Sequence, residues 1–183
     1  ALGGSGLAPG VGRGSWHPTR KSRYRPNQFD HALETLRNAL SEKDIDGDGV
    51  RDRLVPAGIV WMQGESDANK NQETAEAYEK NLTYLIHALR TTLKDDDLPV
   101  VIGKITDSGM SDDGSVMDYI TDVQAAQAAF VAADRCAELV SVTEDLNYLD
   151  RYHYDTDGFI QLGTAFAEAI LRLERECEPA RQH

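Results

Sequence analysis

The amino-acid sequence predicts a three-layer α/β/α domain built on a mainly parallel β-sheet. Short apolar runs of strand length alternate with longer segments in which apolar residues recur at helical spacing, and this alternation is typical of β-α-β units. In such units the strands are parallel and helices cover both faces of the sheet. No linker or internal repeat divides the chain, so a single domain over residues 1–183 is expected.

The predicted elements follow one another in a regular order. Residues 1–27 contain Gly, Pro and Ser without a sustained period, which predicts a long loop, and residues 28–41 have the pattern of an amphipathic helix. The later elements are a strand at 57–62, a helix at 71–94, a strand at 99–105, a helix at 116–134, a strand at 138–143 and a helix at 157–176. In such sheets the functional site lies beyond the carboxyl ends of the strands.

The charge and hydropathy of the chain argue against several classes of function. With 27% charged and 40% hydrophobic residues the sequence is that of an ordinary globular protein, and no apolar run reaches the roughly 18 residues that a membrane helix needs. The net charge of −12 repels polyanions and favours neutral or cationic substrates. We therefore expect neither a nucleic-acid nor a membrane partner.

The two cysteines leave two alternatives open. Cys136 and Cys177 each lie just outside a predicted element, so a bridge between them would tie the tail to the body of the domain, whereas two free thiols fit the sequence equally well.

The chain opens with ALGG and no Met, which is typical of a processed or truncated product. A secreted or periplasmic location is the corresponding expectation.

The first motif with chemical content is WMQGESD at residues 61–67. It stands at the carboxyl end of a predicted strand, where polar side chains can face a cleft. The alternative is a purely structural role, in which Glu65, Ser66 and Asp67 support this loop through hydrogen bonds to nearby backbone.

The second motif is DRYH at residues 150–153, just before the last predicted helix. A His three residues after an Asp can be oriented by that carboxylate through its Nδ1 proton, which leaves Nε2 free to take a proton from a nucleophile. Asp150 and His153 are thus two members of a candidate catalytic triad.

A third motif, GGSGL at residues 3–7, lets backbone N–H groups approach a ligand oxygen closely because glycine has no Cβ.

These three motifs, in this order, resemble those of the SGNH hydrolases, specifically the branch of sialate O-acetylesterases and acetylxylan esterases. WMQGESD resembles the W-x-Q-G-E block of that branch, ALGGSGL its second block, and DRYHYDTDGFIQLG its D-x-x-H block. The resemblance implies an SGNH or flavodoxin-like fold. It also implies a serine ester hydrolase that removes acetyl groups from sugars or polysaccharides, with an acetylated carbohydrate as its partner and no organic cofactor.

The resemblance also implies roles for particular residues. The Gly4 N–H and the Gln63 side chain would stabilise the oxyanion, Asp150 and His153 would complete the triad, and Glu65 would support them. The family's nucleophilic serine and its first strand lie upstream of the second block, where this sequence begins. We therefore expect an N-terminally incomplete domain without its first strand, whose missing segment could accompany it as a separate piece.

Two other functions remain open at this point. Gly64-Glu65-Ser66-Asp67-Ala68 is close to the G-x-S-x-G nucleophile elbow, so an α/β-hydrolase-like esterase using Ser66 is one alternative. The other alternative is a non-catalytic carbohydrate-binding or structural module that keeps the fold after losing the nucleophile.

An acidic sequence, DIDGDGVRD at residues 44–52, has the spacing of a calcium-binding insertion. Such a loop places carboxylates at alternate positions and a backbone carbonyl between them, and these hard oxygens suit Ca²⁺. The expected ligands of a structural Ca²⁺ are Asp44, Asp46, Asp48, the carbonyl of Val50, and Asp52. The alternative is a solvated acidic turn, since the loop lacks the final bidentate glutamate of an EF-hand.

Overall fold

A computed structural model describes residues 3–18 and 27–177 of the chain. The described elements are α1 (Gln28–Ser41), β1 (Ile59–Trp61), α2 (Glu65–Ala68), α3 (Gln72–Glu76), α4 (Tyr78–Leu93), β2 (Val100–Gly103), α5 (Ile120–Ala133), β3 (Ala137–Val140), a 3₁₀-helix (Val142–Asp145) and α6 (Thr156–Cys177). Helix α1 begins where the sequence predicts because the Asn27 side chain accepts hydrogen bonds from the first free backbone N–H groups, those of Phe29 and Asp30.

The three described strands form one parallel sheet in the order β1-β2-β3. Ile59 pairs with Val100 across the first strand pair, and Gly103 pairs with Val140 across the second. The sheet and its helices confirm the predicted α/β/α fold class. In the described part of the chain β1 pairs with a strand on one side only, and Val60 in its middle is half exposed.

Helices cover both faces of the sheet because β2 is apolar on both faces. Val100 and Ile102 share a core with Leu85 of α4 and Phe130 of α5, whereas Val101 faces the other way, into a core built largely from α6. Helix α6 lies close to the sheet at Gly103, where a Cβ atom would come within 2.9 Å of the Phe166 ring.

Several predicted boundaries differ from the structure; the helix predicted over 116–134, for example, begins at Ile120, and the strand predicted over 99–105 ends at Gly103. The segment predicted as one helix over 71–94 forms two helices, because Asn71 caps α3 by accepting a hydrogen bond from the Thr74 N–H and a separate helix begins at Tyr78. The strand predicted over 138–143 ends at Val140, since a 3₁₀-helix begins at Val142. Short apolar runs do not show by themselves where hydrogen bonding to the neighbouring strand stops.

A disulfide joins Cys136 to Cys177, with the two Cα atoms 5.6 Å apart. It connects the residue before β3 to the last residue of α6, so the bridged alternative is the one that the structure adopts. None of the described helices has the length and apolar character needed to cross a lipid bilayer.

Candidate active site

A cavity of about 770 Å³ lies beside the carboxyl end of β1. Its lining includes residues from all three motifs: Gly4 from the N-terminal loop, Gln63, Glu65 and Ser66 from the segment after β1, and His153 from the loop before α6. The fold thus brings together segments that are up to 150 residues apart in the sequence, at the strand ends where open α/β sheets place their sites.

The N-terminal wall of the cavity depends on a close backbone approach at two glycines. Gly4 and Gly12 both have positive φ angles, 72° and 63°, and a Cβ atom on Gly12 would lie 2.0 Å from the Gly4 carbonyl oxygen. The same carbonyl accepts a hydrogen bond of 2.8 Å from the Arg13 N–H. The Gly4 N–H has no acceptor among residues 3–18 and 27–177, so it is available to a ligand.

Asp67 connects this loop to the segment that follows β1. Its fully buried carboxylate accepts hydrogen bonds from the Leu7 N–H (2.9 Å), the Ala8 N–H (3.0 Å) and Gln63 Nε2 (2.8 Å). Burial raises the pKa of Asp67, and these three donors oppose that rise. The sequence-based interpretation assigned Asp67 only to nearby backbone, and no local pattern points to two partners about 60 residues away.

The side-chain amide and the backbone carbonyl of Gln63 are both hydrogen-bonded. The side-chain Nε2 donates to the Ser5 carbonyl (3.1 Å) and to Asp67, so both amide hydrogens have protein acceptors. The backbone carbonyl of Gln63 accepts hydrogen bonds from the Tyr78 hydroxyl and from Gln127 Nε2. Gln63 therefore lines the cavity in a well-defined position, but donation to an oxyanion would require one of its present hydrogen bonds to be replaced.

Asp150 and His153 form a hydrogen-bonded pair at the cavity. His153 Nδ1 lies 2.9 Å from Oδ1 and 2.8 Å from Oδ2 of Asp150, and the Tyr152 and His153 N–H groups both donate to Oδ1. The hydrogen bond from the Tyr152 N–H, followed in size by the one with the His153 ring, holds the pKa of Asp150 below its usual value. In this arrangement an Nδ1–H directed at the carboxylate leaves Nε2 as the proton acceptor. The pair is accessible, with 66% of the His153 side chain exposed.

A cluster of hydroxyl groups holds the loop that carries this pair. Thr106 Oγ1 lies 2.7 Å from the hydroxyls of both Tyr148 and Tyr154, and the Tyr148 hydroxyl also donates to the Thr106 carbonyl at 2.6 Å. The Leu149 N–H donates to the His153 carbonyl at 2.8 Å, which closes the loop on itself. The chain that follows β2 thereby positions a loop that is otherwise exposed.

Glu65 and Ser66 lie in the first turn of α2 and line the same cavity. Glu65 accepts a hydrogen bond of 3.0 Å from the Gly64 N–H, and burial raises the pKa of its carboxyl, whereas His153 opposes that rise. Ser66 lies inside the helix, not at a strained turn. In a nucleophile elbow the nucleophile stands at a strained strand-to-helix turn. Within the described ranges Lys94 is the one residue other than Gly that has a positive φ, so Ser66 does not have such a strained backbone. The helical backbone of Ser66 therefore differs from that of an elbow.

The acidic loop lies between α1 and β1, outside the cavity. Carboxylate oxygens of Asp44, Asp46 and Asp48 lie within 4.8 Å of one another. Asp44 Oδ1 is buried and has no hydrogen-bond partner in the described part of the protein, although Oδ2 of the same residue accepts from the Gly49 N–H at 3.0 Å. Asp52 stands apart from this group and accepts a hydrogen bond from the Ile45 N–H at 2.6 Å.

Comparisons with known proteins show which family and which solved structures this chain resembles. The sequence model of the family described as "carbohydrate esterase, sialic acid-specific acetylesterase" matches residues 10–172. A search of curated protein sequences found no significant match.

Two solved structures are similar to this chain. A protein from Arabidopsis thaliana has a TM-score of 0.63 and 24% identity over 86% of this chain, and the chain spans only 55% of its length. A carbohydrate acetylesterase from Xanthomonas citri has a TM-score of 0.49 and 18% identity over 63% of this chain and 26% of its own. The similarity to the Arabidopsis protein establishes a shared fold.

Proposed function

Because the chain belongs to the sialic acid-specific acetylesterase family of carbohydrate esterases, we propose that its protein hydrolyses O-acetyl esters on sugars. The observation that carries this proposal is the Asp150–His153 pair, which lies at the same cavity as the Gly4 N–H. Such a pair can activate a hydroxyl nucleophile, and a free backbone N–H can stabilise the oxyanion that forms. The sugar acetyl ester would occupy the cavity between them.

The proposed reaction has two steps. A serine hydroxyl attacks the acetyl carbonyl while His153 Nε2 takes its proton, and the Gly4 N–H stabilises the tetrahedral oxyanion. The sugar oxygen then leaves with the proton from His153, and an acetyl-serine ester remains. In the second step water attacks this ester while His153 accepts its proton, and His153 returns that proton to the serine oxygen as acetate is released. Asp150 keeps the imidazole oriented throughout.

We place the serine in a part of the protein outside residues 1–183, either upstream in the same chain or on an accompanying segment. The position of Ser66 inside α2 supports this assignment, because a helical backbone does not present a side chain as a strand-to-helix elbow does. The carboxyl group of Glu65, next to Ser66, would interact electrostatically with His153. Gln63 would contribute to the oxyanion site only if it exchanged one of its present acceptors for the substrate.

The test of this function is turnover of p-nitrophenyl acetate by the protein carrying its upstream segment. His153→Ala should lower kcat by several orders of magnitude, as loss of a triad base does. His87→Ala is the matched control, since His87 is exposed on α4 outside the cavity and should be neutral. Residues 1–183 alone should not exceed the background rate.

Two results would contradict the proposal. If residues 1–183 alone turn over the ester and Ser66→Ala abolishes that activity, the nucleophile is Ser66 and the site is that of an α/β-hydrolase-like esterase. If no form is active but an acetylated sugar still binds, the domain is a non-catalytic carbohydrate-binding module.

We also propose that the loop at residues 44–52 binds a structural Ca²⁺. The donor set is entirely oxygen, which suits this ion, and the buried, unpartnered Oδ1 of Asp44 is an available ligand within the Asp44, Asp46 and Asp48 group. Ca²⁺ should raise the melting temperature, and a chelator should reverse that rise. The rise should be absent in Asp46→Asn and retained in the exposed-site control Asp118→Asn. Identical melting with Ca²⁺ and with chelator would mean a solvated acidic turn.

The Cys136–Cys177 disulfide supports a secreted or periplasmic location, since structural disulfides persist in oxidising compartments. Labelling free thiols in protein isolated from its native source would test this, because a reduced pair there would contradict it.

A further inference from the structure

A glutamine side chain from α5 lies buried between the chain segments that follow β1 and β2. Gln127 is fully buried, and both hydrogens and the oxygen of its side-chain amide have backbone partners. Its Nε2 donates to the Gly103 carbonyl at 3.1 Å and to the Gln63 carbonyl at 3.4 Å. Its Oε1 accepts from the Ile105 N–H at 3.1 Å. The amide therefore joins two segments that also support the candidate active site.

The Gln127 amide takes the place of a neighbouring strand where β1 and β2 separate. The paired register of these two strands ends one residue before Gly103. Lys104 donates its N–H to the Val140 carbonyl on β3 at 2.9 Å. Because backbone groups of successive strand residues point to opposite neighbours, Gly103 and Ile105 turn theirs toward β1. These are the groups that Gln127 satisfies, so the strand ends stay apart at a fixed distance.

The same contacts reach both sides of the cavity. Gln124, one turn earlier in α5, donates to the Ile105 carbonyl at 2.8 Å, so both backbone polar groups of Ile105 are held by α5. The next residue, Thr106, belongs to the hydroxyl cluster that holds the loop with the Asp-His pair. On the other side Gln127 contacts the backbone of Gln63, whose side chain lines the cavity. A single amide thus relates the position of one wall to that of the other.

We propose that Gln127 is a positioning residue for the proposed ester hydrolysis, which holds the strand ends apart so that His153 faces the oxyanion site at Gly4. The inference rests on the proposed esterase function. Gln63 transmits the effect to the Gly4 loop, because its Nε2 donates to the Ser5 carbonyl. Misplacing reacting groups by about 1 Å can lower a rate about 10²-fold. The loss should appear in kcat, because binding of the ester is not the step that Gln127 supports.

Gln127→Leu tests this role in the protein carrying its upstream segment. Leucine keeps an apolar side chain in the core but has no group to join the two segments. We expect kcat for p-nitrophenyl acetate to fall about 10²-fold, with KM within about threefold of the wild-type value. Assays below the melting temperature of each variant separate slower turnover from loss of folded protein. Gln161→Leu is the matched control, since Gln161 is exposed on α6 and lies outside the cavity.

Gln127→Glu is a conservative variant whose hydrogen bonding depends on pH. A protonated carboxyl keeps an acceptor and one donor, whereas a carboxylate has no donor for the two carbonyls. The kcat of this variant, divided by that of the wild type, should be within about threefold of one at low pH and fall at least about tenfold as the carboxyl ionises. The neighbouring Tyr78, whose pKa is raised by burial, and the nearby Asp67 and Glu65 are present in both proteins, so the ratio removes their titration. Gln161→Glu should give a constant ratio.

Hydrogen exchange gives a readout that does not depend on turnover. In Gln127→Leu the Ile105 amide loses its acceptor and should exchange faster than in the wild type. The Lys104 amide, which donates to Val140 on β3, should exchange at its wild-type rate. A faster rate at Ile105 alone shows that the contact was lost locally, without general unfolding.

Two results would overturn the inference. One is folded Gln127→Leu with kcat within about threefold of the wild type. The other, which decides alone if Gln127→Leu does not fold, is a constant kcat ratio for Gln127→Glu over the pH range in which its melting temperature falls relative to the wild type. That fall accompanies ionisation, because a carboxyl whose pKa is raised in the folded protein loses stability as pH rises toward that pKa.

Failure of this inference is distinguishable from failure of the esterase proposal. If turnover depends on His153 but not on Gln127, the esterase stands and the positioning role is wrong. If turnover does not depend on His153, the esterase proposal fails whatever the Gln127 variants do, and the role of Gln127 in the reaction fails with it.

Discussion

Asp67 is the residue whose replacement tests most directly how the cavity is assembled. One carboxylate oxygen, Oδ2, accepts from the Leu7 N–H and from Gln63 Nε2, and the other, Oδ1, accepts from the Ala8 N–H. Asp67→Asn keeps an oxygen for the first two donors but turns an amide NH₂ toward the third. Asp67→Ala removes all three acceptors.

The expected losses of stability follow from these contacts. In Asp67→Asn one hydrogen bond to a charged acceptor is lost, about 1.5–3 kcal/mol, and relief from burying the charge offsets part of this. In Asp67→Ala three donors lose their acceptor at about 1–3 kcal/mol each, so the cost approaches about 3–9 kcal/mol if water does not replace the carboxylate. A domain of this kind is stable by only about 5–15 kcal/mol, so the Ala variant should be severely destabilised.

The assay is urea unfolding combined with hydrogen exchange at the Leu7 and Ala8 amides. Asp67→Asn should speed exchange mainly at Ala8, whereas Asp67→Ala should speed it at both, and the exposed-site control Asp118→Asn should change neither. Burial raises the pKa of Asp67 in the folded protein, so the wild type should gain stability relative to Asp67→Asn as pH falls through that pKa. Unchanged exchange at Leu7 and Ala8 in Asp67→Ala would refute the assembly described here.

The remaining predictions concern the disulfide and the N-terminal glycines. The Cys136–Cys177 bridge closes a loop with a sequence separation of 41, and the chain-entropy relation gives about 4 kcal/mol. Replacing both cysteines by Ala should therefore lower the melting temperature by about 8–16 °C, and a shift of less than about 2 °C would show that the bridge contributes little. Gly12→Ala should destabilise the protein and displace Gly4, because its φ is positive and its Cβ would overlap the Gly4 carbonyl. Gly163→Ala, at an open position in α6, should be neutral or stabilising in the same unfolding assay, and equal effects of the two changes would contradict the geometry.

The fold class and the family could be predicted from the sequence because both depend on local patterns. Apolar periodicity predicts β-α alternation, and the match over residues 10–172 confirms the family that three short motifs indicate. The contact between Asp150 and His153 was also predictable, since residues three apart in a loop are close whatever the rest of the fold does. The roles of these residues in catalysis remain predictions.

Other features were decided only by the tertiary structure. The sequence left the pairing of Cys136 with Cys177 open, and it gave no sign that Asp67 binds Leu7 and Ala8 or that both amide hydrogens of Gln63 are already used. The disulfide and the hydrogen bonds of Asp67 and Gln63 to residues 5–8 join segments about 40–60 residues apart. Local propensity carries no information on which distant partner will be within reach. Packing of the helices against a parallel sheet brings these segments together, and unsatisfied buried polar groups cost too much to leave unpaired.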